Sequence, residues 1–91
     1  MFNDKDHEIF LGIQKEGAEL RKRKNTDYGD SYKKMGPFGV VCRMSDKMER
    51  LITLHKQGAL VDELMEDTAL DLMNYTAMYI LLKREEKGVK K

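Results

Sequence analysis

Glu63, Asp67, Asp71 and Asn74 follow one another at steps of four, four and three. In a helix those steps stack side chains along one side. Like charges at i, i+4 oppose helix formation, and Asp is a weak helix former away from the first turn. Asp71 lies two turns inside a helix that starts near Asp62, where the helix-end dipole no longer accounts for it. A second row, Arg43, Asp46 and Arg50, runs at steps of three and four, with Lys47 and Glu49 beside it. If the two segments pack antiparallel, Asp46 approaches Asp67 and Asp71. Carboxylates converging in one groove repel unless a cation sits between them. Magnesium, hard and oxygen-loving and commonly shared with phosphate, suits such a set. Arg43, Lys47 and Arg50 would then neutralise the phosphate. The same spacing also describes a solvated helix face with exchangeable i, i+4 pairs, and on spacing alone that account comes slightly ahead. Glu49 and Glu66 read as such a face and nothing more.

These residues need helices to position them. Asn3 or Asp4 can cap a first helix, and Asp4, Asp6 and Glu8 suit its positive end. Ile9, Phe10, Ile13, Gly17 and Leu20 recur at helical spacing, so a helix is expected over about 4–24. The basic run Arg21 to Lys24 would occupy its last turn, where cations are favoured. Residues 25–32 are rich in turn formers and read as a structured loop. Met35-Gly36-Pro37-Phe38-Gly39 continues the break, with Pro37 able to take the first position of a second helix. Val40, Val41, Met44, Met48, Leu51 and Ile52 carry that helix over about 38–56, and Gly58 is its stop signal. Asp62 caps a third helix, over about 62–87, with a broad apolar face from Leu64 to Ile80. The fold class expected is all-α: three helices packed as a bundle. Nothing in the chain alternates in the way a strand does.

Bulk properties narrow the function. The chain has 91 residues, which is one small domain with a thin core. Its 17 basic and 16 acidic residues nearly cancel, which argues against a protein built to coat nucleic acid. One cysteine cannot form a disulfide framework or a cysteine-based zinc site alone. Cys42 reads as a small core residue, and His7 and His55 as surface residues without a partner at ligand spacing. No apolar run approaches the roughly 20 residues of a membrane helix, and no signal peptide opens the chain. A cytoplasmic location is expected. The third helix, at about 25 residues and 1.5 Å each, is roughly 37 Å long. A compact monomer of this size has a radius of gyration near 12 Å. Leu70, Met73, Met78, Leu81 and Leu82 spread the apolar surface to a second side of that helix. Burying both sides needs a neighbour, so a homo-oligomer, most simply a dimer, is expected to complete the bundle.

Three segments taken together resemble the nucleotide modification associated domain family of phages and bacteria. Residues 24–32, Lys-Asn-Thr-Asp-Tyr-Gly-Asp-Ser-Tyr, resemble its K-N-x-D-Y-G-D-S-F opening. Residues 43–51 resemble its R-x-x-D-K-x-x-R-L helix, and residues 62–75 its D-E-x-x-x-D-T-x-x-D-L-x-N-Y helix. That family is similar in turn to MazG-like all-α nucleoside triphosphate pyrophosphatases, which are helical, oligomeric and magnesium-dependent. Their signature is a Glu-x-x-Glu pair on one helix and a Glu-x-x-Asp pair on the next. Here the first pair is Asp46-x-x-Glu49, and the second is Asp67-x-x-x-Asp71 or Glu63-x-x-x-Asp67.

The resemblance implies hydrolysis of a nucleoside triphosphate, perhaps a modified deoxynucleotide, to the monophosphate and pyrophosphate. It implies magnesium held by Asp46, Asp67 and Asp71, together with Glu63, and a bound water turned towards the α-phosphorus. Arg43, Lys47 and Arg50 would stabilise developing charge; the basic run at 21–24, Lys24 included, is by itself too short to mean nucleic acid but is able to guide a phosphate. Asn74 would bond a base edge or sugar. Asn25, Tyr28 and Tyr32 would meet the base, Tyr28 by stacking, although Asp27-Tyr28-Gly29 serves equally well as a simple turn. The competing function is a non-catalytic protein that binds or sequesters a nucleotide.

Overall fold

A computed structural model of the chain describes residues 3–28, 31–58 and 62–88, without the side chains of residues 25–28. These residues form three helices, α1 (Asp4–Tyr28), α2 (Ser31–Lys56) and α3 (Asp62–Glu86), and no strand among those described. The expected all-α class and three-helix order are what the chain adopts.

Asn3 is the cap of α1. Its Oδ1 accepts from the backbone N–H of Asp6 at 3.1 Å, and its carbonyl accepts the first helical bond from His7 at 3.0 Å. Asp4 and Asp6 stand in the first turn, at the positive end of the dipole. The other end departs from expectation. α1 continues through Asn25, Thr26 and Asp27 to Tyr28, and its last turn holds no basic residue. Turn formers lower helix propensity by only a few tenths of a kcal/mol each, and an established helix carries through them. The run from Arg21 to Lys24 therefore lies a turn before the end. The loop expected over 25–32 shrinks accordingly, since Ser31 already begins α2. Gly29 falls outside the described residues.

The break expected around Pro37 is present as a kink. Gly36 has φ 72° and ψ 172°, outside the helical region, and Pro37 follows at once. Glycine is the residue that takes this conformation without a Cβ clash. Pro37 then opens the long segment of α2 where its missing N–H matters least. The far end of α2 closes at Gly58, with φ 62° and an N–H that donates to the His55 carbonyl at 3.1 Å.

α2 and α3 run antiparallel, as the pairs Lys33–Glu85 and Lys47–Asp71 show: the later α2 residue meets the earlier α3 residue. Their contact holds the small core of Tyr32, Val40 and Leu82, flanked by Met35, Met44, Tyr75, Met78 and Tyr79. Val40 is wholly buried. Cys42 corrects the expectation of a core cysteine, because it is exposed. Two residues beyond Val40 is about 200° around a helix, which turns Cys42 to the opposite side.

α1 packs on α3 through one close approach. Gly17 is buried, and a Cβ there would meet the Met73 methyl, with Asn74 Oδ1 at 3.2 Å and Leu70 at 3.8 Å. The missing side chain is what lets the two helices meet at this point. The N-terminal half of α1 has no such contact. Ile9, Phe10, Leu11 and Ile13 are 44–58% exposed. The radius of gyration is 14.9 Å, against about 12 Å for a compact chain of this length.

Candidate functional site

The three helices meet at Asp71. Its Oδ1 accepts from Lys24 Nζ of α1 at 2.6 Å, and its Oδ2 pairs with Lys47 Nζ of α2 at 3.4 Å. The Asp71 side chain is only 17% exposed, whereas Lys24 is 50% and Lys47 29% exposed. The carboxylate is thus set into the wall, with two ammonium groups closing over it from solvent. Charge-assisted contacts of this kind are short and fix geometry. They hold two cations on one carboxylate, one at each oxygen.

One turn away on the α2–α3 seam, Arg50 Nε donates to Thr68 Oγ1 at 3.3 Å. The Thr68 hydroxyl donates in turn to the Leu64 carbonyl at 2.7 Å. Thr68 is 4% exposed, so this contact anchors the stem of Arg50 while most of its guanidinium donors stay available. Arg43 pairs loosely with Asp46 at 3.9 Å, both well exposed, at i, i+3 on α2.

The carboxylate row of α3 is graded. Glu63 and Asp67 are exposed, Asp71 is half-buried and Asn74 is buried at 8%. The row runs along α3 from its exposed first turn to the level where Gly17 of α1 lies against Asn74, so it passes from solvent into the bundle. Antiparallel packing of α2 on α3 holds as expected, but the α2 residue that faces Asp71 is Lys47. Asp46, one residue and about 100° away, points to solvent beside Arg43. Among the described residues, no group of three or more His, Cys, Asp or Glu side chains lies close enough to hold a metal ion. The predicted residues Lys24, Lys47 and Asp71 come together. Arg50 reaches across the same seam to Thr68, whereas Arg43 and Asp46 pair with each other on the exposed side of α2, and Glu63 and Asp67 are exposed on α3. The side chains of Asn25 and Tyr28 lie outside the described residues.

Tyr32 does not serve as a base-stacking platform. It is 5% exposed, in the core. Arg21 covers it, with its guanidinium carbon 5.7 Å from the ring centroid and Nη2 donating to the phenol oxygen at 3.3 Å. Sequence reasoning reads Thr68 only as part of an apolar face, and Arg21 only as one cation of the basic run at 21–24. Arg21 sits three residues before Lys24 and four after Gly17, a spacing that puts it on the same face as both.

Arg21 also borders a cleft of about 350 Å³ between α1 and α3. Gln14 lines the cleft on α1, and Met73, Asn74, Met78 and Leu81 line it on α3. Its lining is mainly apolar with a few polar groups, Gln14, Arg21 and Asn74, which is the general character of a small-molecule site.

The fold and site define a three-helix domain with a cation-flanked carboxylate where its helices cross. The chain belongs to the family described as nucleotide modification associated domain 1, whose profile matches residues 24–82, well over half of the chain. That span contains Lys24, Lys47 and Asp71, while most of α1 precedes it. No curated protein matches the chain, and no solved structure does. No helix among the described residues is long and apolar enough to cross a membrane.

Proposed function

We propose that this protein binds a nucleoside triphosphate, a deoxynucleotide or modified nucleotide, and hydrolyses it with magnesium to the monophosphate and pyrophosphate. The observation that carries this reading is the convergence of Lys24 and Lys47, from different helices, on Asp71 of a third. Two ammonium groups held together over a recessed carboxylate form a seat that a polyphosphate can take over. The family's description, which ties the domain to nucleotide modification, supports the choice of ligand.

In the reaction, water adds to the α-phosphorus, the bond between the α-phosphorus and the bridging oxygen to the β-phosphate breaks, and pyrophosphate leaves. Lys24 and Lys47 would hold the phosphate chain. Arg50, anchored on Thr68, would reach the leaving pyrophosphate, and Arg43 would extend the positive rim. These fixed cations favour the charge that builds up on the phosphoryl oxygens. Asp71 sets the position of both lysines.

Magnesium is usually bound by one or two carboxylates plus substrate phosphates and waters, not by an all-protein cage. Asp71 and Asp67, one turn apart, fit that requirement once the lysines move onto phosphate, with Asp46 and Glu63 at the periphery. An ion carried in by the triphosphate would withdraw charge from the phosphates and acidify a bound water. Asp71 engaged by two cations, and the dispersed acids of the described residues, support a second reading: a protein that binds a nucleotide without turning it over.

Self-association belongs to the same proposal. The exposed apolar residues Ile9, Phe10, Leu11 and Ile13 support a second copy packing on the free half of α1. Nucleoside triphosphates are made and used in the cytoplasm, which sets the proposed location. The deciding assay is magnesium-dependent pyrophosphate release over a panel of triphosphates. Turnover of one or more establishes the enzyme. Tight binding with no turnover of any supports the second reading.

A further inference from the structure

Two rows of side chains lie open on this chain, on different helices. On α2, Phe38, Val41, Ser45, Met48, Ile52 and His55 follow at alternating steps of three and four, the spacing of a seam that pairs with another helix. All six are exposed, Phe38 at 80%. The core side of α2 is taken by Val40 and Met44, so this row is a second apolar side of the same helix. On α1, Ile9, Phe10, Leu11 and Ile13 are exposed ahead of the close approach at Gly17. Contiguous apolar surface left open in this way marks a place of contact. The two rows do not cover each other within one chain, since both stay exposed while α1 is fixed on α3.

Charge shows what covers them. Residues 4–16 of α1 carry four acids and two lysines, whereas α2 carries six lysines and arginines and two acids. α3 answers Lys33 with Glu85 and Lys47 with Asp71, and α2 still keeps a surplus of two positive charges. Two α2 rows face to face would set like charge against like, and so would two α1 halves. An α1 half on an α2 row sets opposite charges together. The ends agree. Asp4 and Asp6 stand in the first turn of α1, and His55 and Lys56 in the last turn of α2. Antiparallel packing places those acids beside those bases and aligns the two helix dipoles favourably. The lengths agree too, since α1 ahead of Gly17 and the row from Phe38 to Ile52 each run about 20 Å.

We propose that two copies of this chain exchange α1: the free half of each lies antiparallel along the outer row of α2 in the other. Two-fold symmetry makes the contact twice and covers both rows in a closed dimer. A register that sets Phe10 on Ile52 of the partner subunit and Ile13 on the partner's Met48 brings Asp6 to the partner's Lys56, four residues further along each helix. The proposal rests on the self-association reading above and names the surface that receives α1.

Sedimentation of the full chain is the test. Wild type is expected as a dimer at micromolar concentration. Ile52→Glu and Met48→Glu, both at exposed positions of the α2 row, are expected to give monomers with unchanged helix content by circular dichroism, as is Phe10→Glu. Mixing Phe10→Glu with Ile52→Glu is expected to recover a dimer, because the intact α1 of one meets the intact α2 of the other. Asp6→Lys alone and Lys56→Glu alone should weaken the dimer about two- to fivefold, the size of an exposed ion pair, and the two together should restore it. A double variant weaker than either single overturns the antiparallel register. If the α2 variants stay dimeric while Phe10→Glu is monomeric, the α2 seat is overturned and self-association through α1 stands. A dimer that survives Phe10→Glu, or a mixture that stays monomeric, overturns the exchange. A wild-type monomer overturns both the exchange and the self-association reading, and leaves the two rows to a different partner.

Discussion

Replacing Asp71 with Asn separates the two roles assigned to the junction, because stability and phosphate binding should move in opposite directions. The substitution keeps the shape of the side chain and removes its charge. Lys24 and Lys47 lose their common counter-ion while remaining in place. The Lys24 contact is short at 2.6 Å, but Lys24 is half exposed. Its contribution therefore belongs near the top of the range for solvent-exposed pairs, about 0.5–1 kcal/mol. Lys47 is less exposed but more distant, at 3.4 Å, and adds about 0.5 kcal/mol. The expected loss is about 1–1.5 kcal/mol in chemical denaturation, or about 5–10 °C in Tm for a domain of this size. Without magnesium, tripolyphosphate should bind the variant more tightly, by roughly tenfold for each 1.4 kcal/mol of repulsion and competition relieved. Magnesium-dependent turnover should fall at the same time. A stability loss under about 0.3 kcal/mol, with unchanged tripolyphosphate affinity, would refute the reasoning, since Asp71 would then neither hold the lysines nor compete with phosphate for them.

Gly36→Ala places a Cβ at φ 72° and should lower stability by about 1–2 kcal/mol, read by the urea midpoint. An unchanged midpoint would mean that the kink relaxes freely. Tyr32→Phe keeps the core ring and removes the acceptor for Arg21 at 3.3 Å. It should cost about 0.5–1.5 kcal/mol, and a loss of several kcal/mol would mean that the phenol has a larger structural part than one bond. For α1, sedimentation at micromolar concentration should show a dimer or larger species, and Phe10→Glu should return it to a monomer with little change in helix content by circular dichroism. Phe10 is 56% exposed within one chain, so a wild-type monomer would sink the packing proposed for that face.

Periodicity made the helices legible, and local chemistry misplaced the end of α1 and the start of α2. The apolar spacing of α2 and α3 and the caps at Asn3 and Asp62 lie close to where the helices run. The stretch from Asn25 to Asp27 looked like a loop because each of its residues is a poor helix former. Such preferences are small, and the continuing helix overrides them. Gly36-Pro37 was readable for a different reason. A positive φ and a missing N–H are constraints on the backbone itself, which packing does not easily reverse. The exposure of Ile9, Phe10 and Ile13 was harder to foresee. An apolar stripe says that a face can be buried, not by what, and α3 reaches only as far along α1 as Gly17 permits.

The site shows how far one helical row can be trusted. Spacing correctly put Glu63, Asp67, Asp71 and Asn74 on one side of α3, but it treated them as equivalent. Their places along α3, from its exposed start to the level where Gly17 of α1 approaches, make Asp67 a surface acid, Asp71 a recessed one and Asn74 a buried amide. The partner across the seam depends on the phase of α2, where a shift of one residue exchanges Asp46 for Lys47 and turns a repulsive acidic cluster into a carboxylate held by cations. Electrostatics favours that phase, because Lys47 and Lys24 neutralise Asp71, the one acid half-buried among the described residues, whereas Asp46 in the same place would set carboxylate against carboxylate without a counter-ion. A bundle stable without magnesium is the expected consequence, and on the proposed function the ion would enter with the triphosphate. A Tm that rises with magnesium and triphosphate together, and by less than 1 °C with magnesium alone at the same concentration, is the behaviour this phase of α2 requires.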